Sequence, residues 1–324
     1  MSPIMLYSSP QMESLARQIR GASVDINLGT IRWSNFRDGW PDFFIEDVRQ
    51  QNDALVGRDV VFLASFENPT DCLVQQWVAS AFGAYQARSL TFVLPYFPTG
   101  TMERMDEDGR IVTAKSLARH LSSMPSGLGL KNRLVIFDIH ALPEWHIFEG
   151  TNVVPILDSA IPLLEARLRG PGNIRNVSIV FPDEGAFKRF GRQLRSWPQI
   201  ICEKRRDGSK REIRIKEGDP MGRHCVIVDD LAQSGETQDL TGCVLAKAGA
   251  KAISCFVTHM VTPNESWRRF LRPQFPLKYF WFSDSCPWSA RQIFALTEDH
   301  PFELVSLAQP IVNQMMAVRS YFQP

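Results

Sequence analysis

The chain has 324 residues, about twice the usual ~150 of a single domain, so its length predicts two domains. With 44% hydrophobic and 22% charged residues the composition is that of ordinary globular proteins, which excludes overall disorder. Thirty-six Lys and Arg against 35 Asp and Glu leave a formal charge of +1, which excludes a global field able to hold the protein on nucleic acid or anionic lipid.

The first residues, MSPIMLYSSPQMESLARQI, contain no basic stretch followed by an apolar core, and no apolar run approaches the ~18 residues of a membrane span. A soluble cytoplasmic protein is therefore expected, with no membrane and no nucleic acid among its partners. The 6 cysteines form no Cys-x-x-Cys pair and lie mostly inside apolar runs, which reads as free buried thiols in a reducing compartment.

Short β-branched or aromatic runs alternate with amphipathic stretches. Strands are predicted at Val60 to Ala64, Leu90 to Leu94, Leu134 to Ile139, Val177 to Phe181, Val226 to Val228, Ile253 to Thr258 and Tyr279 to Phe282. Between the first two, Leu73, Val74, Trp77, Val78, Ala81 and Phe82 recur at helical spacing, with Thr70 or Asp71 available as the cap. Further helices are predicted at Thr113 to Leu121, Ala186 to Leu194, Thr237 to Ala248 and Ser266 to Leu271. This order gives an α/β fold class. The turn-forming stretch Glu149 to Asn152 separates two comparable series, so the expected domains are 1–152 and 153–308. A terminal helix, about 309–324, is expected to return to the first domain.

The most informative stretch is HCVIVDDLAQSGETQ, in which an apolar strand ends in Asp229 and Asp230 and leads through a Ser-Gly loop into a helix. Such a strand delivers the two carboxylates to the C-terminal edge of a parallel sheet, and positions 234–237 set backbone amides at a helix N-terminus. Carboxylates suit ribose hydroxyls; amides and the hydroxyls of Ser234 and Thr237 suit a phosphate. In CEKRRDGSKREIRI, Asp207-Gly208 is a turn signal between two basic strands, which reads either as a mobile hairpin over a site or as a solvated charged turn. A lone His140 at the end of an apolar strand reads as structural, as do His120 and His259.

The DD-x-x-x-SGET stretch resembles the fingerprint of the type I phosphoribosyltransferase family: apolar residues, two acids, then a Ser/Thr-Gly loop. Glu236 departs from it, since most members have glycine there, and its charge repels a bound phosphate. SFENPTD, LPYFPTGTMER, TAKSLARHL, VIFDIHA and IVFPDEGAFKRF, in that order along the chain, are similar to segments of the ribose-phosphate diphosphokinases, or PRPP synthetases. The spellings FPTGT, DIHAL and DDLAQSG are nearest the plant-type class II branch of that family.

This resemblance implies two phosphoribosyltransferase-like domains, each a mostly parallel sheet flanked by helices. It also implies transfer of the β,γ-diphosphoryl group of ATP or another nucleoside triphosphate to ribose 5-phosphate. Lys204 and Arg206 would be the catalytic cations. Asp229, Asp230, Gln233, Ser234, Gly235, Glu236 and Thr237 would bind ribose 5-phosphate, and Asp183 and Gly185 would form a pyrophosphate loop. His140 and Asp183 would hold Mg2+, the implied cofactor. Phe36, Asp38, Trp40, Arg104 and Asp106 would face the nucleotide, although Trp40, Thr101 and Met102 replace polar residues usual in class I. A homo-oligomer is implied as well. Two other readings stay open at this point: a PRPP-consuming phosphoribosyltransferase, and a non-catalytic regulatory subunit of the same fold.

Overall fold

Runs such as Val177–Phe181 and Ala252–Met260 are apolar and buried on both faces, as strands of a helix-covered parallel sheet must be. The computed structural model describes residues 2–102, 108–125, 131–140, 148, 152–170, 174–207, 210–297 and 299–320, with backbone alone for 205–207, 210, 211 and 318–320. It divides into two units, Met1–Asp158 with Leu307–Pro324, and Ser159–Ser306.

In chain order the first unit contains β1 (Ile4–Ser8), α1 (Glu13–Ala22), β2 (Ile26–Leu28), β3 (Ile31–Arg32), β4 (Phe44–Ile45), α2 (Glu46–Gln50) and β5 (Asp59–Leu63). It continues with α3 (Pro69–Ala84), β6 (Ser89–Val93), α4 (Thr113–Ser122), β7 (Asn132–Phe137) and β8 (Val153–Asp158). The second unit has α5 (Ile161–Arg169), β9 (Val177–Phe181), α6 (Glu184–Phe190), β10 (Gln199–Asp207), β11 (Lys210–Glu217) and β12 (His224–Ala232). After these come α7 (Glu236–Lys247), β13 (Ala252–Met260), β14 (Leu277–Ser283), α8 (Pro287–Ile293) and β15 (Phe302–Val305). The last helix, α9 (Ala308–Ser320), belongs to the first unit.

The first sheet has the order β2-β1-β5-β6-β7-β8, every neighbouring pair parallel. The second is β11-β10-β9-β12-β13-β14-β15, parallel except for the β10–β11 hairpin. Each unit has its own aromatic core, Tyr7, Phe62, Phe82 and Phe92 in one and Trp267, Phe270, Phe280 and Phe302 in the other. The α/β class and the mostly parallel sheets are as expected.

Several local expectations are corrected. The division falls after Asp158 rather than Asn152, because β8 pairs with β7 and completes the first sheet. Pro155 hid that strand from the sequence reading; a proline cannot donate to a ladder, and it is tolerated here because β8 is an edge strand. Gln314 Nε2 on α9 donates to Asp158 Oδ2 at 2.7 Å, and α9 packs on α1, which ties the chain's end to the first unit. The cap of α3 is Asn68, not Thr70 or Asp71. Its side chain accepts from the Asp71 amide at 3.0 Å and donates to Asp71 Oδ2 at 2.8 Å, with Pro69 at the first helical position where no amide hydrogen is needed. α6 begins at Glu184 and stops at Phe190, two residues earlier and four residues shorter at its end than its pattern suggests. The segment Pro263–Leu271 is a 3-10 helix rather than an α-helix, with left-handed backbone at Asn264 and Glu265.

Candidate active site

In the second unit the relevant groups gather where β9 stops. β9 pairs with Gln199–Ile201 of β10 on one side and His224–Ile227 of β12 on the other, and both neighbours run on past Phe181. Side chains just beyond the end of β9 therefore meet those of the two longer strands. Asp183 caps α6, its Oδ1 accepting from the Ala186 amide at 2.9 Å, and its Oδ2 accepts from Lys204 Nζ at 2.5 Å. A Cβ at Gly185 would stand 3.1 Å from that same Asp183 Oδ1, so the small residue leaves the carboxylate its room.

The two adjacent acids differ in environment. Asp229 Oδ1 accepts from the Asp230 amide at 3.0 Å and Oδ2 from Gln238 Nε2 at 3.2 Å. Burial, and then the negative charges of Asp230 and Asp183, push its pKa well above the usual carboxylate range, while Lys204 opposes the rise. Burial would also raise Asp183, but the Lys204 ammonium and the amides of Ala186 and Gly185 outweigh it and hold that carboxyl below its ordinary value. Two neighbouring carboxyls pushed apart in this way are a mark of functional sites. Asp230 is 5% exposed and pairs with Arg189 at 3.2 Å.

Downstream, Gly235 has φ +73°, the left-handed conformation that glycine adopts without strain, and it opens α7. The Ser234 hydroxyl accepts from the Glu236 amide at 3.3 Å, and the Gln233 carbonyl accepts from Ser266 Oγ at 2.7 Å. Glu236 and Thr237 occupy the first positions of the helix. Lys204 and Arg206 lie on the β10 arm of the hairpin, in register with Ile213 and Arg211. For Arg206 only the backbone is described.

Asp183, Lys204, Asp229 and Asp230 are thus brought together. Arg189 was missed. Its signal was present, because it lies on the face of α6 that carries buried Ala186 and Phe190, an apolar face where a charge needs a partner. His140 stands exposed beyond the end of β7 in the first unit, away in sequence and in unit from Asp183. Arg104 and Asp106 lie outside the described residues. His259 is buried, with Nδ1 2.9 Å from Ser285 Oγ, a satisfied structural histidine.

In the first unit, Phe36 and Trp40 are 58% and 62% exposed and so are not core. They flank a tight loop in which the Phe36 amide donates to the Trp40 carbonyl at 2.8 Å and Asp38 Oδ1 accepts from the Trp40 amide at 3.2 Å. Asp38 and Trp40 line a cavity of about 530 Å³ with Trp33, Phe43, Asp71 and Trp77; Phe36 does not. Trp40 and Trp77 are stacked, centroids 6.2 Å apart.

Among the described residues no three of His, Cys, Asp and Glu form a metal cage. The carboxylates of Asp183 and Asp229 nonetheless fit magnesium, a hard cation that favours oxygen and keeps much of its shell as water and substrate phosphate. The like charges that raise Asp229 are the kind a divalent cation relieves. All six cysteines are free, and no helix among the described residues is long and apolar enough to cross a membrane.

One expected result follows from this geometry. Asp229→Asn removes the repelled carboxylate, so the ligand-free variant should be more stable than the parent at neutral pH. A carboxyl whose folded pKa is raised destabilises the fold increasingly as pH rises through that value, so the advantage should shrink as pH falls through it, where the parent carboxyl is itself protonated. Urea melts across the acid-to-neutral range check this; equal stability at all pH values would contradict the charge assignment.

The family model described as the N-terminal domain of ribose phosphate pyrophosphokinase matches residues 4–124. A rice protein named ribose-phosphate pyrophosphokinase 3, chloroplastic, is 44% identical over 317 residues, 96% of this chain and 76% of its own. Rice ribose-phosphate pyrophosphokinase 4 is 42% identical over 317 residues, 96% of this chain and 95% of its own. The crystal structure of phosphoribosylpyrophosphate synthetase from Mycobacterium smegmatis superposes with a TM-score of 0.80 over 99% of this chain and 100% of that one, at 19% identity, and so shares the fold.

Proposed function

The chain belongs to the ribose-phosphate pyrophosphokinase family, and from that premise we propose that it carries the β,γ-diphosphoryl group of a nucleoside triphosphate to the anomeric hydroxyl of ribose 5-phosphate. The observation that carries this reading is the meeting of Asp183, Lys204, Asp229 and Asp230 at one sheet edge, beside the Ser234 to Thr237 loop. The new bond joins the anomeric oxygen to the β-phosphorus. The bond from the β-phosphorus to the oxygen bridging it to the α-phosphate breaks, the nucleoside monophosphate leaves with that electron pair, and the hydroxyl proton is released. PRPP and the monophosphate are the products.

Such transfer needs positioning and charge neutralisation rather than a protein nucleophile. Asp229 receives hydrogen bonds from the ribose hydroxyls, and the loop of Gln233, Ser234, Gly235, Glu236 and Thr237 receives the 5-phosphate. Asp230 is proposed to bind the ribose with Asp229, and its pairing with Arg189 fixes the strand end on which both sit. Asp183 and Gly185 line the diphosphate path, and Lys204 with Arg206 supplies positive charge as the leaving monophosphate develops negative charge. Magnesium, when bound, would neutralise triphosphate charge; Asp183 and Asp229 are proposed to hold it, and the magnesium role proposed for His140 belongs to the first unit. Phe36, Asp38, Trp40, Arg104 and Asp106 are the residues proposed to bind the nucleotide. The same proposal places the protein in the cytoplasm, in keeping with its free thiols, as a homo-oligomer; fractionation and light scattering test these two points.

Purified protein with magnesium, ribose 5-phosphate and each nucleoside triphosphate in turn, followed for PRPP and monophosphate, tests the reaction. Several triphosphates should serve, because the exposed rings of Phe36 and Trp40 offer stacking that is indifferent to base identity. A preference for ATP above about a thousandfold in kcat/KM would require base-specific hydrogen bonds and would contradict this account of the base site. Absence of PRPP with every triphosphate would overturn the proposed reaction.

A further inference from the structure

Behind the phosphate loop of the second unit runs the 3-10 segment Pro263–Leu271, which the mechanism above does not use. The chain enters it through left-handed backbone at Thr262, Asn264 and Glu265, none of them glycine, which costs energy and must be held by packing. Trp267 and Phe270 supply that packing. Both are fully buried, and Trp267 Nε1 donates to Gln292 Oε1 at 3.2 Å. The segment reaches the loop at two points. Ser266 Oγ donates to the Gln233 carbonyl at 2.7 Å. At Gly235 a Cβ would stand 2.7 Å from Phe270 Cε2 and 2.9 Å from Arg269 Cδ, so the Arg269 stem lies against the glycine that opens α7.

Two arginines are adjacent here, and they differ in what engages them. Arg268 Nε is bonded to Glu265 Oε2 at 2.6 Å, and its guanidinium lies 4.7 Å from the centre of the Trp267 ring. Arg269 is exposed and forms no ion pair among the described residues. Its guanidinium begins one bond beyond the Cδ that touches Gly235. The packed segment therefore carries the stem of a cationic side chain to the glycine of the phosphate loop.

We propose that Arg269 is a further binding residue of the ribose 5-phosphate site, supplying to the 5-phosphate the positive charge that Glu236 takes away. The proposal rests on the family reading of that site. The loop itself offers a phosphate dianion only neutral donors, the amides at the start of α7 and the hydroxyls of Ser234 and Thr237, and Glu236 adds a negative charge among them. A guanidinium is the side chain best matched to phosphate oxygens, since its planar fork donates two parallel hydrogen bonds. Held by its stem against Gly235, it needs little reordering to do so.

Calorimetry with ribose 5-phosphate, and separately with ATP and magnesium, on the full chain and on Arg269→Met and Arg269→Lys tests this. Methionine keeps an unbranched stem over Gly235 and removes the charge. Arg269→Met should weaken ribose 5-phosphate about tenfold or more, the range expected for a lost charge-assisted contact, and should leave nucleotide affinity within about threefold. Arg269→Lys should recover part of the loss, and the difference between Arg269→Met and the parent should narrow as salt is raised. Unchanged ribose 5-phosphate affinity in Arg269→Met would overturn the proposal, as would equal losses for both ligands, which would mark a packing role instead. If the parent protein itself took up no ribose 5-phosphate, the family reading of the site would fail, and that failure is seen before any variant is made.

Discussion

Alanine at Lys204 or at Arg206 is expected to lower turnover by on the order of a hundred- to a thousandfold, the usual cost of removing one preorganised cation or donor from a charge-stabilising site. Lys204 sits on a strand that pairs with β9 through Gln199–Ile201 and then runs on past β9 as one arm of the β10–β11 hairpin. Its ammonium donates to Asp183 at 2.5 Å, and its charge opposes the rise of Asp229. A residue so placed adds its charge chiefly where negative charge grows during transfer. Its loss should therefore appear in turnover, with dissociation constants for nucleotide and ribose 5-phosphate moving by less than about fivefold.

Arg206 shares the arm, two residues on, in register with Arg211 of the facing strand. The two losses should be less than additive in the double variant, since both charges are proposed to act on the same developing anion. Full activity in either single variant, or a loss confined to binding, would return the hairpin to a solvated charged turn.

The largest effect on stability is expected from Arg189→Met. Arg189 and Asp230 are both nearly buried, with side-chain exposures of 11% and 7%. Breaking such a pair leaves a charge in a poorly solvated place, at a cost of about 3 to 5 kcal/mol, a large part of the stability of an ordinary domain. Asp230→Asn alone should be costly for the same reason, with the sign of the stranded charge reversed. The double variant Arg189→Met with Asp230→Asn should recover at least about half of the loss, because neither charge is then left unpaired. Urea unfolding of the three variants decides this. Losses that simply add would show that the two side chains do not depend on one another, and the assignment of Arg189 as the support of the acidic strand end would fall.

The two variants also separate roles. Lys204 is partly exposed and its pairing with Asp183 is open to solvent, so its removal should leave the melting transition nearly in place. Arg189 is the reverse, a residue whose removal acts on stability first and on ribose 5-phosphate affinity through Asp230.

Much of the site was legible in the chain because it is written in contiguous motifs. The acids of β12, the Ser-Gly loop and the cap Asp183 are each set by a strand that ends, a turn and a helix that begins, all within a few residues. The double-faced apolar strands β9 and β13 were equally plain, since a parallel sheet buried on both sides leaves a near-continuous apolar run. Gly235 could be anticipated as well, although its reason was half hidden. Its positive φ belongs to the local loop, while the Phe270 ring and Arg269 stem that exclude any Cβ arrive from a distant segment.

By itself the sequence determined the alternation of the central strands and helices, the family motifs and the residue types at the sheet edge, because periodicity, turns and caps act between near neighbours. Tertiary structure decided which of those residues meet. That β8, with Pro155, completes the first sheet depends on an open edge beside β7. That Lys204 reaches Asp183 depends on how far β10 and β12 outrun β9. That Arg189 holds Asp230, and that Ser266 and Arg269 back the loop of Gln233 and Gly235, depends on side chains far apart in sequence sharing a few ångströms. The physical reason is that burial, ion pairing and like-charge repulsion are set by distance in space, which strand register and packing fix and which no window of the chain contains.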